Sequence, residues 1–378
     1  MDFTFTEEQQ AAAEAACGVF AGVAPDQVPS PAVTRGAVAE GLDRALWARL
    51  AGADLLGLLL DTEHGGAGLD AVALCLVLRE AARVLARVPL LEHNAATWAV
   101  QAHAAPEVKA DLLARAGRGE LVLTVAAHGR TGHDPAELAV TARHEDGADW
   151  VLDGVQTAVP WAYDAEVTVV PAHTDAGRAV LALLPRGQAG AELAEQVSTT
   201  GERLAELRLR SVRLPARHVI DADGAWERLR LLLATGTCAL ALGLGERVLR
   251  MTADYTGKRE QFGHPIATFQ AVAVQAADRY MDLRAMEATL WQAAWRFDSG
   301  VPGALPLSGD VAVAKIWAAE GVRRVVQTAQ HLHGGFGADV DYPLHRYHAW
   351  AKHLELSLGP AAAHEETLAE MLATHPLG

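Results

Sequence analysis

A segment near the start of the last third of the chain contains side chains suited to binding an anion. Lys258 and Arg259 carry positive charge, and Gln261 adds an amide. Gly263 and Pro265 then turn the chain before a new helix. A planar guanidinium donates two parallel hydrogen bonds to a diphosphate. Basic residues at a helix end also complement the helix dipole, so an anion site and an ordinary helix terminus both remain open interpretations.

A second segment, from His331 to Gly337, has the sequence His-Leu-His-Gly-Gly-Phe-Gly. Its glycines follow a long stretch of helical period, which is the usual position of a helix C-cap. Gly334 and Gly335 have no Cβ atom, so they would equally let the backbone approach a bulky ligand. This segment therefore predicts a helix end and also a candidate binding surface.

The chain that positions these segments has 378 residues, 51% of them hydrophobic, enough for a large core in roughly two or three domains. Its formal charge of −15 argues against nucleic acid and anionic membrane surfaces as partners. Three cysteines without CxxC spacing predict neither a disulfide framework nor a zinc site. We expect no signal peptide and no membrane span, because neither apolar pattern is present. A cytoplasmic enzyme or enzyme subunit is the simplest expectation.

The spacing of apolar residues divides the chain into three regions. Residues 1–118 predict an N-terminal α-helical domain, which opens with a capping box at Thr6 and Gln9. Residues 119–222 approach strict alternation and predict a middle antiparallel sheet or barrel of about five to seven strands. Residues 223–378 return to a helical period and predict a bundle of long helices. The expected fold class is α+β, in the order helices, sheet, helical bundle.

Local patterns make further predictions about single elements. The turn sequence at 145–147 predicts a hairpin between two strands. An apolar stripe that includes Tyr280, Leu283 and Met286 predicts the buried face of a long helix. Ser308 is the predicted N-cap of the next helix.

The two glycine-containing segments together resemble those of the acyl-CoA dehydrogenase family. The matching motifs are Arg-x-Gln-Phe-Gly-x-Pro-Ile-x-x-x-Gln and, later, His-Gly-Gly-x-Gly followed by Tyr-Pro-x-x-Arg. The order of the three regions and the opening Phe-x-x-Thr-Glu-Glu-Gln agree, so the resemblance covers the whole chain. It implies a flavoprotein oxidoreductase of lipid metabolism. In that reaction a carboxylate removes the α-proton of an acyl-CoA thioester while a hydride leaves the β-carbon for the flavin.

The resemblance also implies that FAD, the expected cofactor, lies between two subunits. One subunit's arginine motif and His-Gly-Gly segment would contact the diphosphate and adenosine part of the nucleotide. The implied FAD-contact residues are Arg259, Gln261, Phe262, Gln270, His331, His333, Gly334 and Gly335. No metal is implied; a metal site at His345, His348 and His353 is disfavoured, because no carboxylate or cysteine completes a ligand set.

The chain departs from the family pattern at the positions of the family's catalytic and flavin-binding residues. The catalytic Glu usually follows the His-Gly-Gly segment, at a position that falls on Leu358 here. Some relatives place it ahead of the arginine motif, at a position that falls on Leu233. The stretch that begins at Thr124 keeps little of the family's flavin-holding loop, and His348 replaces an expected arginine. We therefore assign no catalytic residue to this chain.

With these departures, the chain resembles one subunit of the heteromeric (α2β2) acyl-CoA dehydrogenases of actinobacterial steroid side-chain degradation. That subunit is the one without a catalytic Glu. The implied partners are a homologous Glu-bearing subunit or a second copy of this chain, an acyl-CoA substrate, and an electron-transfer flavoprotein as electron acceptor. Two alternatives stay open. One is a self-sufficient homomeric flavoenzyme with a relocated base or different chemistry, and the other is a scaffold subunit without FAD. Conceivable displaced bases are Glu246, Glu355, Glu365 and Glu366, each more simply explained as an ordinary helix carboxylate, with Glu246 paired to Arg250.

Overall fold

The computed structural model describes residues 4–25, 31, 33–131, 138–145 and 149–374. Residues 1–3, which contribute to the expectation that there is no signal peptide, lie outside these ranges. The helices are α1 (Glu7–Phe20), α2 (Arg44–Gly52), α3 (Ala71–Arg83), α4 (Leu90–His103), α5 (Pro106–Gly117), α6 (Ala225–Lys258), α7 (Gln270–Ser299), α8 (Leu307–His333), α9 (Leu344–Leu356) and α10 (Ala361–Thr374). The strands are β1 (Leu123–Val125), β2 (Val140–His144), β3 (Asp149–Pro160), β4 (Val167–Thr174), β5 (Ala179–Pro185), β6 (Ala191–Val197), β7 (Arg203–Pro215), β8 (Val219–Ile220), β9 (Glu260–Gln261) and β10 (His264–Pro265). The predicted order of helices, sheet and helical bundle is confirmed.

Helix α1 begins with the predicted capping box. The Thr6 hydroxyl accepts a hydrogen bond from the Gln9 backbone N–H over 3.2 Å, and the Gln9 side chain accepts one from the Thr6 N–H over 2.9 Å. The Gln9 amide also donates to Asp70 over 2.8 Å, and Asp70 caps α3. One polar cluster therefore fixes the starts of two helices.

Strands β1 to β8 form one sheet of mixed direction. The order is β6-β7-β3-β2-β4-β5-β8, with β1 paired to β4. Strand β4 runs parallel to β1 and β2, and the other pairs are antiparallel. The sheet is mostly antiparallel as expected but has eight strands rather than five to seven. Strands β2 and β3 flank the predicted turn and pair antiparallel, while turn residues 146–147 lie outside the described residues.

The alternation along β7 is interrupted by a bulge. Leu209 and Val212 are both buried although three positions separate them, since the register with β3 shifts between Leu152 and Gly154. Ser211 has a positive φ of 50°, and its N–H donates to Asp153 over 2.7 Å. The extra residue restores the core face after the bulge.

Helix α6 is the central helix of the C-terminal bundle. It has 34 residues and packs against α3, α7 and α8. By length and composition alone it is apolar enough to cross a membrane, but 78% of its most apolar window is buried inside the protein. The first and third regions share one hydrophobic core, whereas part of the sheet encloses a second. The predicted domain limits at 118 and 222 stay predictions.

Two local predictions about the bundle were wrong. Helix α8 begins at Leu307 after Pro306, so Ser308 lies inside the first turn instead of capping it. Tyr280 is 55% exposed, whereas Leu283 and Met286 on the same helix are buried as predicted. The first twelve residues of α7 are exposed or half-buried, so its apolar stripe continues onto the surface.

Candidate functional site

The segment with the arginine motif forms an exposed hairpin, which we call the arginine arm (residues 259–266). Helix α6 ends at Lys258, and Arg259 is its C-cap residue with an exposed side chain. Strands β9 and β10 follow, joined by Phe262 and Gly263, which both have positive φ (56° and 78°). A two-residue turn of this kind favours glycine in one position and holds the other residue at the tip. Phe262 is accordingly 91% exposed.

Backbone hydrogen bonds attach the arginine arm to the helices on either side. The Arg259 N–H donates to the Tyr255 carbonyl over 2.8 Å, and the Ile266 N–H donates to the Arg259 carbonyl over 2.8 Å. Gln270, which is exposed, is the first residue of α7, and no side chain caps this helix. The N-terminus of α7 therefore presents backbone N–H groups beside the arm, an arrangement that suits an anion.

The two glycines of the second segment lie where α8 ends. Gly334 is the C-cap residue, with φ 60° and ψ −139°. A Cβ atom placed on Gly334 or Gly335 would meet no atom within 4 Å, so their backbone is open to an approaching group. The His331 side chain is exposed beside them. Gly334 and Gly335 therefore both end the helix and leave an open surface, as the sequence predicted.

His333, in contrast, directs its ring into the protein. Only 3% of the residue is exposed, Nδ1 lies 2.8 Å from the Ala329 carbonyl oxygen, and Nε2 lies 3.1 Å from the Tyr342 hydroxyl. Its ring also stacks on that of Tyr255 at 4.3 Å. The His333 side chain therefore supports the two segments from inside and leaves contact with a ligand to its neighbours. Sequence reasoning missed Tyr255, because no local pattern relates it to His333.

A surface depression of about 490 Å³ joins the arginine arm to the residues that follow the glycines. Its lining residues are Arg247, Met251, Asp254, Tyr255, Lys258, Arg259, Tyr342 and Pro343. Three cations face one carboxylate there, so the depression favours a ligand with negative charge.

Both positions at which the family places its base hold leucine buried in the core. Leu358 is 6% exposed and Leu233 is 3% exposed, and both belong to the main hydrophobic cluster. Leu358 also has a positive φ of 58° in the turn between α9 and α10. An apolar side chain cannot accept a proton, so neither position supplies general-base catalysis.

The stretch from Thr124 in β1 to Gly129 uses polar groups within the chain. The Thr124 hydroxyl donates to the Pro160 carbonyl over 2.7 Å. The Gly129 N–H donates to the Gln156 amide oxygen over 2.8 Å, and the Gly129 carbonyl accepts from the Thr157 N–H over 2.8 Å. These groups are not available to a flavin ring or a thioester.

A small cavity of about 90 Å³ between the helices and the sheet contains a carboxyl group that sequence reasoning missed. Glu92 lines it together with Trp161, Trp350 and His353, and the remaining wall is largely leucine and alanine apart from Glu202 and Arg203. Burial also raises the pKa of Glu202, but that carboxylate is held in an ion pair with Arg87. Burial raises the pKa of Glu92 to about 7, against a hydrogen bond from Trp161 that lowers it. Burial lowers the pKa of His353 to about 4. Glu92 is therefore the group in this cavity best able to exchange a proton near neutral pH.

The other conceivable bases are held in ion pairs or lie on the surface. Glu246 does not pair with Arg250 as expected; it accepts hydrogen bonds from Arg79 and Arg83 of α3, because that face of α6 packs on α3. Glu355 is less exposed than expected, with 13% of its side chain accessible and an ion pair to Lys352 over 2.5 Å.

Glu365 and Glu366 are exposed on α10, as predicted. Among the described residues, no group of three or more His, Cys, Asp or Glu side chains is arranged to hold a metal ion.

An α-helical region, a sheet and a bundle of long helices that carries an exposed arginine arm beside two glycines define the class of flavin-dependent dehydrogenases that act on CH–CH bonds. Sequence comparison agrees: the acyl-CoA dehydrogenase N-terminal domain matches residues 6–120, and the acyl-CoA dehydrogenase C-terminal domain matches residues 226–373. The chain belongs to the acyl-CoA dehydrogenase family, as the motifs predicted.

Relatives of known name are similar over the full length. The chain is 35% identical to acyl-CoA dehydrogenase FadE27 of Mycobacterium tuberculosis, covering 100% of both chains. It resembles a solved structure of a Tcur3481-Tcur3483 steroid acyl-CoA dehydrogenase variant, with 36% identity, 97% and 98% of the two chains covered, and a TM-score of 0.88. The ChsE4-ChsE5 complex from Mycobacterium tuberculosis gives 33% identity, 100% coverage of both chains and a TM-score of 0.89.

The residues present fit one half of an FAD. An exposed guanidinium and exposed amides are donors that suit a diphosphate, two glycines without Cβ atoms leave room for close approach, and exposed Phe262 offers a ring for the adenosine part. Of the described residues from Thr124 to Thr131, the Thr124 hydroxyl and the Gly129 N–H are already paired inside the chain, so these two groups offer nothing to a flavin ring. The fit is therefore to the nucleotide end of the cofactor.

Proposed function

We propose that this chain is the subunit without a base in a heteromeric FAD-dependent acyl-CoA dehydrogenase, which catalyses α,β-dehydrogenation of an acyl-CoA thioester. One observation carries the proposal: both base positions hold buried leucine, while the arginine arm remains open to solvent. A chain that lacks a base but keeps an exposed arginine arm is suited to complete an active site whose catalytic base belongs to another subunit.

The exposed face of α7 supports a partner of the same fold. Val274, Tyr280 and Met281 of α7 are 50%, 55% and 60% exposed, and Phe262 in the arm before this helix is 91% exposed. Exposed apolar surface of this kind marks an interface between proteins. Both solved relatives named above are pairs of unlike chains by their titles, and one is described as a steroid acyl-CoA dehydrogenase. We therefore propose a heterotetramer (α2β2) that acts on steroid-type acyl-CoA thioesters.

Each exposed residue has a defined task in the proposal. Bound FAD would accept the hydride that leaves the β-carbon of the substrate. Arg259 would neutralise and orient the diphosphate, with the amides of Gln261 and Gln270 as further donors. Phe262 would pack against the adenosine part and exclude water from it.

The residues at the end of α8 complete the contact. The Gly334 N–H already donates to the carbonyls of Gln330 and His331, so Gly334 and Gly335 would contribute by letting the nucleotide approach the backbone closely, and exposed His331 would close one side. His333 would support them from inside the chain.

Two further parts of the proposal follow from the reaction. The electrons must leave the flavin for a carrier, and an electron-transfer flavoprotein is the proposed acceptor. A cytoplasmic location is proposed as well; it is supported by three free cysteines, which are typical of a reducing compartment.

The experiment is to purify the full chain alone and together with the acyl-CoA dehydrogenase chains encoded near it, and to record absorbance in the flavin bands and turnover of acyl-CoA thioesters. We expect little flavin and no turnover from the lone chain, and both from the correct pair. Flavin with turnover from the lone chain would overturn the proposal, and absence of flavin in every pairing would favour the scaffold alternative.

The self-sufficient enzyme is kept as a second candidate because of Glu92. Its carboxyl group, with a pKa near 7, lies in a largely apolar cavity, which is the environment that a relocated base requires. Glu92→Gln in the lone chain distinguishes the two functions. A lone chain that turns over and loses turnover in this variant would support the second candidate.

A further inference from the structure

Four aromatic side chains lie between the arginine arm and the two glycines, and we call them the aromatic cluster (Tyr255, His333, Phe336 and Tyr342). The Tyr255 ring stacks on His333 with centroids 4.3 Å apart and planes 21° apart. It also stacks on Phe336 at 5.3 Å and 11°. The Tyr342 ring contacts the same two rings at 5.3 Å and 4.5 Å. Each ring in the cluster therefore restricts the others.

The cluster connects two segments that are distant in sequence. Tyr255 and His333 are 78 residues apart, and the Tyr255 hydroxyl approaches the His333 carbonyl at 3.5 Å. Tyr255 also accepts the backbone hydrogen bond from Arg259, so it holds the base of the arm. His333 directly precedes Gly334. Any shift of the stack would change the distance between the guanidinium and the glycine backbone.

Hydrogen bonds to His333 select one form of its ring. A carbonyl oxygen only accepts, so the nitrogen 2.8 Å from the Ala329 carbonyl must donate, which puts a proton on Nδ1. Nε2 is then left to accept from the Tyr342 hydroxyl at 3.1 Å. A doubly protonated ring would donate from Nε2 to the Tyr342 oxygen instead, and it would carry a positive charge on a residue that is 3% exposed. Burial therefore favours the neutral ring, in which Tyr342 is the donor.

We infer that Tyr255, His333 and Tyr342 are positioning residues, which hold the arginine arm and the glycine backbone in one arrangement as long as His333 is neutral. The inference rests on the proposed function only for the identity of the ligand, which is FAD. It assigns the three side chains to the nucleotide end of the site without direct contact with the reacting atoms.

Charged groups lie on two sides of the cluster, but burial is what favours the neutral ring. Arg247, Lys258 and Arg259 of α6 line the adjoining depression, and Asp254 of the same helix is the opposing carboxylate. On the other side, the ring of His345 in α9 lies 2.9 Å from the Tyr342 carbonyl oxygen. Burial lowers the pKa of His333 below its ordinary range, against the hydrogen bond to Ala329 that raises it. The ring is therefore neutral at pH 7 and gains its second proton in acid.

The first test needs no flavin. Hydrogen–deuterium exchange of the full chain is compared for wild type, Tyr342→Phe and the matched control Tyr163→Phe in the turn between β3 and β4. We expect Tyr342→Phe to exchange about threefold to tenfold faster in both 255–266 and 334–343, as loss of one neutral hydrogen bond implies. The control should match wild type in both segments. Faster exchange in 334–343 alone would overturn the inference, because the cluster would then not couple the two segments.

The second test measures flavin retention by the assembled pair from pH 8 to pH 5. Wild type should lose flavin in acid as His333 gains a proton. His333→Gln offers an amide oxygen to Tyr342 but does not titrate, so its retention should be lower and flat across this range. An acid loss as steep in His333→Gln as in wild type would overturn the inference. A wild-type pair without flavin at every pH would contradict the proposed function, and the exchange result would still decide the positioning role.

Discussion

The ammonium group of Lys315 donates a hydrogen bond to the carbonyl oxygen of Gly359 over 3.0 Å. The same nitrogen lies 3.3 Å and 3.2 Å from the carbonyl oxygens of Leu354 and Glu355, which end α9. Lys315 is fully buried, and burial lowers its pKa to about 8. The turn that carries Leu358 at the family's base position is therefore held from inside by a lysine.

Replacing this lysine should loosen the turn. Lys315→Met leaves three carbonyl groups without their donor, so we expect a loss of about 2 kcal/mol in the free energy of unfolding at pH 7. The wild-type lysine has a lowered folded-state pKa, so wild-type stability rises between pH 8 and pH 10.5, where only the unfolded chain keeps the proton. The loss should therefore be larger at pH 9.5 than at pH 7 in urea unfolding. Lys109→Met, at a lysine of α5, is the control, and an equal loss at both pH values would contradict the assignment.

Arg259→Ala should reduce flavin retention by the assembled pair. A charge-assisted bidentate contact contributes about 1.5–3 kcal/mol, so the dissociation constant for FAD should rise about tenfold or more. Titration of the flavin-free pair with FAD, followed by absorbance, measures it. Arg115→Ala removes an exposed arginine of α5 and should leave binding unchanged. Equal affinity in Arg259→Ala and wild type would remove Arg259 from the site.

Met281→Glu should prevent assembly without unfolding the chain. Met281 is 60% exposed, so a carboxylate there meets water in the lone chain but would be buried unpaired in an interface on α7. We expect an unchanged Tm for the lone chain and loss of the heteromer in size-exclusion chromatography. Val33→Glu, at a residue that is 48% exposed outside the bundle, should assemble normally. A Met281→Glu chain that still assembles would place the interface elsewhere.

His93 should make the chain labile in acid. It is fully buried, its Nδ1 accepts from the Leu123 N–H over 3.2 Å, and burial lowers its pKa to about 4. The folded state keeps the ring neutral while the unfolded state gains a proton, so stability is lost as pH falls from about 6.5 to 4, by on the order of 3 kcal/mol. Urea unfolding across this range should show a shallower decline in His93→Gln. His144→Gln, at an exposed histidine, should follow wild type.

Glu92 should give the folding stability the opposite pH dependence. Its folded-state pKa is raised, so the folded chain holds the extra proton and stability falls as pH rises from about 4.5 to 7. Glu92→Gln should therefore raise the Tm above pH 7 and leave it nearly unchanged at pH 4.5. The same variant should leave the turnover of the heteromer unaltered, because the proposed base is in the partner. A drop in turnover would instead indicate that Glu92 takes part in the reaction.

Features determined by neighbours in sequence were predictable. The capping box at Thr6, the helix end at Arg259 and the helix end at Gly334 each follow from local chemistry, and each was found. The arginine arm could be located because its turn residues lie within one short segment.

Features that depend on distant contacts were not predictable. The parallel pairing of β4, the partners of Glu246 on α3 and the stack of Tyr255 on His333 all join residues far apart in the chain. Burial of a polar group is equally hidden, since Lys315 and Glu92 look like ordinary helix residues until the packing around them is known.

The exposed ring at the tip of the arginine arm has a consequence for the cell. In the proposed heteromer, a chain made in excess of its partner would leave Phe262 and the apolar side chains of α7 uncovered, and such surface promotes aggregation and recognition by chaperones. Balanced synthesis of the two chains would cover it at once. The two chains would then have to be synthesised in equal amounts, and an unpaired copy should be shorter-lived than an assembled one.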